Sequence, residues 1–564
     1  MRDTENRQFI ASRRGILKTV GASGLLPFLP SWAGAQGSSK LALSTKGMVT
    51  SPHELATEAG LNVLAQGGNA IEAAIAITAA LNVTYPHFSS FGGDAFMIIS
   101  DVNGDVQTIS GIGQAPQSLP SYSGSIPVRG PQSMLTSACN VDALGKAFEL
   151  SQSKFGGKKS WSSLIAPAVA FARDGFPVTE SERFWLEFRK TEMAALSGFS
   201  SFMVDGAVPG TGTPFKQPKL AVTLEMLAER GHRDFYEGKL GAIVAKGLKD
   251  AGSPITAADL ARTQAQIEAP LRVAYRGGTL LAHQPPTQGV TTLEIMGILD
   301  RFNLSGIREG SADYYHLLVE AVKYAFIDRR HVADPKFVDV PTERLLSAAN
   351  LDAHARKIQM DKALPWPHVF KQGDTVYVGA TDMAGNCVSM LSTVYFDWGS
   401  GVMAGDTGLL WHNRGASFSL DPTSPNRLQP GKRPFHTLNP GMYLKDGKPA
   451  ILYGTQGADG QPQTLAAVLT RLIDYRLDPL TALAKPRFLL GRTFSDTRDS
   501  LKLEKDAGES VFAELARRGH EVSAIPAQSP LAGHPGAIVI DRASGRISGA
   551  HDPRSDGRAL GLAG

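Results

Sequence analysis

Two alternating runs about two thirds of the way along this chain, residues 376–382 and 387–394, are separated by the turn residues Ala384, Gly385 and Asn386. Period-two alternation around such a turn reads as a β-hairpin. The polar pair Gly373-Asp374 leads directly into it and sets Thr375 at the head of the first strand. If the chain breaks between Asp374 and Thr375, the new N-terminal threonine carries a hydroxyl nucleophile and, on the same residue, an amine able to serve as its base. Threonine is also a common strand residue, so the segments around the hairpin must decide between the two readings.

At 564 residues the chain exceeds one simple core and reads as a large single unit or a pair of interlocked layers, with room for a deep site. Its formal charge of +4 is concentrated at the front, where Arg2, Arg7, Arg13, Arg14 and Lys18 face only Asp3 and Glu5. A nearly neutral body, with no Arg/Lys stripe interleaved with aromatics, is not built to gather polyanions, so nucleic acid is not an expected partner. Cys139 and Cys387 are the only cysteines; two isolated core thiols are favoured over a single bridge, and a disulfide framework or four-thiolate zinc site is excluded. No metal-ligand spacing, Walker motif or dinucleotide fingerprint occurs in a suitable context, and no cofactor is expected.

Ser12-Arg13-Arg14-Gly15-Ile16-Leu17-Lys18 resembles a twin-arginine export signal, followed by a modestly apolar stretch over 19–30 and by the small residues Ala33-Gly34-Ala35. The apolar run falls short of the ~20 residues a bilayer needs and is broken by Pro27 and Pro30. The reading is therefore export rather than a membrane anchor. Residues 1–35 form the signal, the mature chain starts near Gln36, and its destination is the periplasm or the medium.

Further along, the pattern predicts two helices split at Gly67-Gly68, with Asn69 capping the second over 70–81. A hairpin turns at Asn103-Gly104. Residues 160–255 read as mostly helical, and a strand at 278–282 precedes the loop Gln284-Pro285-Pro286-Thr287-Gln288-Gly289 and two more helices to about 332. Beyond Thr375 strands dominate, at 450–453, 537–541 and 545–549, with a helix over 463–474. The stretch 365–373 reads as exposed, which marks the Asp374/Thr375 junction as the one credible boundary.

These pieces accumulate into a resemblance. In order they are Gln66-Gly67-Gly68-Asn69-Ala70-Ile71-Glu72-Ala73-Ala74, Phe91-Gly92-Gly93-Asp94-Ala95-Phe96-Met97, and the Pro-Pro-Thr-Gln-Gly loop. Then come the helix segment from Glu320 to Arg329, Asp334-Pro335, Asp374-Thr375 and Asp552-Pro553-Arg554-Ser555. Across nearly all its mature length the chain resembles the gamma-glutamyltransferase superfamily of N-terminal-nucleophile hydrolases. The resemblance implies an α+β, four-layer αββα fold. It also implies self-cleavage into a large chain, 36–374, and a small catalytic chain, 375–564, that stay entwined. Thr375 would attack a small-molecule amide, and water or an amine acceptor would resolve the acyl-enzyme. Backbone amides of Gly457 and Ala458 would stabilise the oxyanion, and Thr393 would hydrogen-bond the nucleophile.

The departures bear on substrate. Where glutamyl enzymes hold the α-carboxylate with an arginine, this chain has Ile112, ahead of Ala115-Pro116. The family's contacts to the amino-acid head fall at Tyr395, Arg414 and Ser417, and its paired serines at His436-Thr437. Losing an acid and gaining Arg414 points to an acyl group with a carboxylate and no α-amino group, such as an oxamate-type or glutaryl-type amide. The runs Trp411-His412-Asn413-Arg414-Gly415 and Gly460-Gln461-Pro462-Gln463-Thr464 resemble the oxamate amidohydrolase branch, near the cephalosporin acylases. Alternatives stay open: Arg414 paired structurally with Asp421, His436 as a core histidine, a glutathione hydrolase with a rebuilt pocket, or an uncleaved binding protein.

Overall fold

The structure, a computed structural model, describes residues 40–196, 198–366, 374–492 and 498–563. The expected signal, 1–35, and residues 367–373 just ahead of the junction lie outside these. None of the described helices is long and apolar enough to cross a membrane.

Two seven-stranded sheets form the centre. The first runs, edge to edge, through Arg558–Gly561, Met48–Ser51, Asp374–Thr381, Cys387–Tyr395, Asp94–Ser100, Val106–Gly111 and Gln266–Glu268, with every neighbouring pair antiparallel. The second runs through Ala42–Ser44, Arg546–His551, Pro535–Asp541, Lys448–Thr455, Gly441–Lys445, Gly278–Ala282 and Leu271–Tyr275.

Side-chain alternation shows how the sheets stack, since successive residues of a strand face opposite sides. Val376, Val378, Ala380, Val388 and Met390 point into a core shared with the helices Glu54–Ala65, Ala70–Thr84 and Trp161–Asp174. Ile451, Tyr453 and Ala537 point into a second core with Gly289–Leu299, Ala312–Asp328 and Gln461–Ile473. Between the sheets, Met48, Ile98, Cys387, Leu452 and Ile538 make a third. The order is helix, sheet, sheet, helix, the αββα arrangement expected.

Local chemistry explains the motifs. Helix Ala70–Thr84 is buried along its whole length and starts at an Asn69/Glu72 capping box, a device worth about 0.5–2 kcal/mol. The Glu72 carboxylate also accepts the Lys158 and Lys159 amides, both at 2.7 Å, and the Ala70 amide donates to Asp382 at 3.0 Å. In the Phe-Gly-Gly-Asp run, a side chain on Gly93 would meet the Thr393 carbonyl at 2.1 Å and one on Gly92 the Leu410 carbonyl at 2.4 Å. Glycine lets this turn lie directly against the strand that carries Thr393. Cys139 and Cys387 are buried free thiols.

The Asp552–Ser555 motif anchors the far side. Arg554 pairs with Glu504 at 2.5 Å and Asp552 at 3.2 Å, and Arg487 pairs with Asp552 at 2.6 Å, all four side chains fully buried. Arg487 also donates to the carbonyls of Ala532 and Gly533 at 2.9 and 2.7 Å. Two cations thus meet two anions, and the guanidinium that Asp552 holds fixes the loop at Gly533. Removing one partner strands a buried charge, at a cost of about 3–5 kcal/mol. Arg554→Met should therefore lower the calorimetric melting temperature strongly, whereas Arg558→Met, at a half-exposed pair with Glu54 and Glu58, should change it little.

Candidate active site

Thr375 is 1% exposed and sits where the ladder slips. Asp374 faces Tyr395 but Val376 faces Ser392, so the partner strand carries one extra residue. Such a bulge re-aims local side chains without breaking the sheet. The Thr375 Oγ1 accepts a hydrogen bond from Gln461 Nε2 at 3.3 Å. On the partner strand Thr393 lies opposite Asp94, and its Oγ1 accepts the Tyr395 amide at 2.7 Å. Tyr395 then takes a left-handed φ of 80°, uncommon for a residue with a Cβ.

Gly457 and Ala458 fill the turn between strand Lys448–Thr455 and helix Gln461–Ile473. Gly457 has φ 128°, a value that glycine accommodates, and Ala458 has φ 43°. A non-glycine outlier of this kind persists where its surroundings over-determine it. Here Gln288 Nε2 donates to the Ala458 carbonyl at 2.6 Å and to the Thr437 carbonyl at 2.7 Å. Arg329 in turn donates to Gln288 Oε1 and Asp459, both at 3.0 Å. Gly533 backs the turn, and a side chain there would meet the Gln456 carbonyl at 2.8 Å. The turn opens the N-terminus of a helix, whose dipole favours developing negative charge.

Arg414 is fully buried. Its guanidinium lies 3.8 Å over the Tyr395 ring, the residue facing Asp374, and Nη1 donates to Thr437 Oγ1 at 3.3 Å. Among the described residues Nε and Nη2 have no hydrogen-bond partner and no carboxylate lies within 4.0 Å. Burial draws its pKa down to about 10, with Tyr395, Asp94 and Asp459 opposing, so it stays cationic at neutral pH. Asp421 does not pair with it; that carboxylate accepts from Thr423.

His436 and Ser417 are less available than their positions in the sequence suggested. His436 Nε2 lies 3.1 Å from Asp94 and its Nδ1 accepts the Leu438 amide at 3.3 Å, so both ring nitrogens are engaged. Burial, with Arg414 next, lowers its pKa to about 3, so it is neutral at neutral pH. Burial alone would raise the Asp94 pKa, but His412 and His436 hold that carboxyl well below the ordinary range. Ser417 donates to the Phe435 carbonyl at 3.1 Å. Ile112 packs with Phe96, Tyr377, Leu391 and Leu438, replacing a cation by hydrocarbon.

Sequence reading missed Gln461 and Gln288, and it named His436 as a candidate without its pairing to Asp94, which His412 also approaches. Their motifs were visible, but their pairings join residues far apart in the chain. Among the described residues, two groups have metal-ligand chemistry: His316, Glu320 and His520, and Glu294, Asp328 and His354. In the first, His316 bonds His520 at 2.8 Å and Lys323 donates to Glu320 at 2.7 Å. In the second, His354 lies 3.0 Å from Asp328 and Asn350 bridges the acids. Both are closed by their own polar contacts.

The four-layer sandwich is the fold of the N-terminal-nucleophile hydrolases. The chain belongs to the gamma-glutamyltranspeptidase family, whose model matches residues 56–562. It is 42% identical to the oxamate amidohydrolase proenzyme of Klebsiella pneumoniae, over 92% of this chain and 99% of that protein. It is 38% identical to the glutathione hydrolase-like YwrD proenzyme of Bacillus subtilis, over 93% and 100%. Among solved structures, cephalosporin acylase from Bacillus halodurans superposes with a TM-score of 0.85 at 30% identity, covering 93% of this chain and 97% of that one. The chain thus falls with the amidohydrolase and acylase branch.

Proposed function

We propose that this chain cuts itself between Asp374 and Thr375 and then hydrolyses a small amide whose acyl part carries a carboxylate and no α-ammonium group. Thr375 Oγ1 attacks the amide carbonyl, its freed amine takes the proton, and the Gly457–Ala458 turn stabilises the oxyanion. The observation that carries the substrate reading is Arg414, a buried cation with two donor nitrogens that have no partner among the described residues, beside the residue that faces the junction. A buried unpaired charge is costly, and a substrate carboxylate would neutralise it with charge-assisted hydrogen bonds. Oxamate, the substrate in the name of a relative 42% identical, has that carboxylate. A gamma-glutamyl substrate would also need an acid for its ammonium, and the nearby Asp459 is already paired with Arg329.

Thr375→Ala should remain one chain of about the full 60.0 kDa, less any signal, and lose amidase activity. Denaturing electrophoresis with N-terminal sequencing of the wild-type fragment checks this, and a fragment starting anywhere but residue 375 refutes the nucleophile. Arg414→Ala should raise KM for oxamate by about 10- to 100-fold, the equivalent of about 1.5–3 kcal/mol for hydrogen bonds to a charged group, and leave a neutral amide almost unaffected. Equal effects on both substrates would remove Arg414 from the acyl pocket. The reading includes twin-arginine export, so replacing Arg13 and Arg14 by lysine should leave the protein in the cytoplasm on fractionation.

A further inference from the structure

We infer that Gln461 is a further catalytic residue, donating a hydrogen bond to the reacting oxygen of Thr375 in both self-cleavage and turnover. The inference rests on Thr375 being the nucleophile. It concerns the nucleophile's own oxygen, whereas the Gly457–Ala458 turn acts on the oxygen of the carbonyl under attack.

The orientation of the Gln461 amide follows from its partners. A backbone N–H can only donate, and the Asn439 amide approaches Gln461 Oε1 at 3.3 Å, so Nε2 must be the atom 3.3 Å from Thr375 Oγ1. The Asn439 side chain is itself tied to Thr292 at 2.5 Å. Gln461 is fully buried and is the first residue of helix Gln461–Ile473, with Pro462 following it. Its donor is therefore aimed before any substrate arrives, as electrostatic catalysis requires.

An N–H directed at Oγ1 occupies one of its lone pairs and leaves the hydroxyl proton to point elsewhere. In self-cleavage the Oγ1–carbon bond forms to the Asp374 carbonyl as the carbon–nitrogen bond breaks, the hydroxyl proton ending on the departing nitrogen. Water then splits the ester, leaving a carboxylate on Asp374 and returning the Thr375 hydroxyl beside a free amine. In turnover the same ester oxygen leaves when water attacks the acyl-enzyme. In each step Oγ1 carries negative charge before or as it gains or loses its bond to carbon, and a fixed donor strengthens as that charge grows.

Gln461→Glu is the informative substitution, because a carboxylate still accepts the Asn439 amide but offers Thr375 an acceptor in place of a donor. At pH about 8 the rate of chain splitting on denaturing gels, and kcat for oxamate in the processed enzyme, should each fall on the order of 10²-fold, with KM nearly unchanged. The ratio of variant to wild-type rate should recover as pH falls and the carboxyl regains a proton to donate. Gln461→Leu should show a similar loss with a flat ratio. A Glu variant that matches wild type at pH about 8, or a ratio that stays flat with pH, overturns the assignment even if both variants melt like wild type. Persistent splitting in Thr375→Ala would instead overturn the underlying nucleophile, so the two failures are distinguishable.

Discussion

The antiparallel ladder around strand Asp374–Thr381 is the constraint on which the site depends. That strand is held on one side by Met48–Ser51 and on the other by Cys387–Tyr395, which in turn pairs with Asp94–Ser100. Both halves of the chain supply strands to the same two sheets. A break at the junction would therefore leave interchain backbone ladders and three shared hydrophobic layers intact, and such extensive burial keeps the pieces together. The same ladder slips by one residue at Thr375, which turns a regular sheet into a place where one hydroxyl can be singled out.

Around that hydroxyl several buried polar and charged groups are paired, as burial favours. Asp459 meets Arg329, Gln288 links the Ala458 and Thr437 carbonyls, and Asp94 meets two imidazoles. Arg414, stacked on Tyr395 and bonded to Thr437, keeps two donor nitrogens without a partner among the described residues. On the proposed reading affinity and specificity are separated: an oxyanion turn at Gly457–Ala458 would be indifferent to which amide arrives, and Arg414 would discriminate by the charge of the acyl group.

Much of this was legible from residue order. The hairpin, the Asn69 cap, the strand Gly278–Ala282 and the late hairpin follow from periodicity and turn chemistry, which are local. Boundaries moved where burial overrode propensity: the helix expected over 70–81 runs on to Thr84 because every residue on it is enclosed. Arg414 was visible as an unusual cation, but its stacking on Tyr395 was not. His436 showed the reverse, a polar residue at a promising position whose ring is committed to an aspartate 342 residues away.

The sequence by itself determined the family and the order of layers, because those are written in short motifs whose spacing is fixed by backbone geometry. Only the tertiary structure decided which polar groups are satisfied and which are left to meet a substrate. That balance depends on pairings such as Gln461 with Thr375 and Gln288 with Ala458, made across 86 and 170 residues. Such contacts exist only once two sheets have packed face to face and excluded the water that would otherwise have satisfied each group alone.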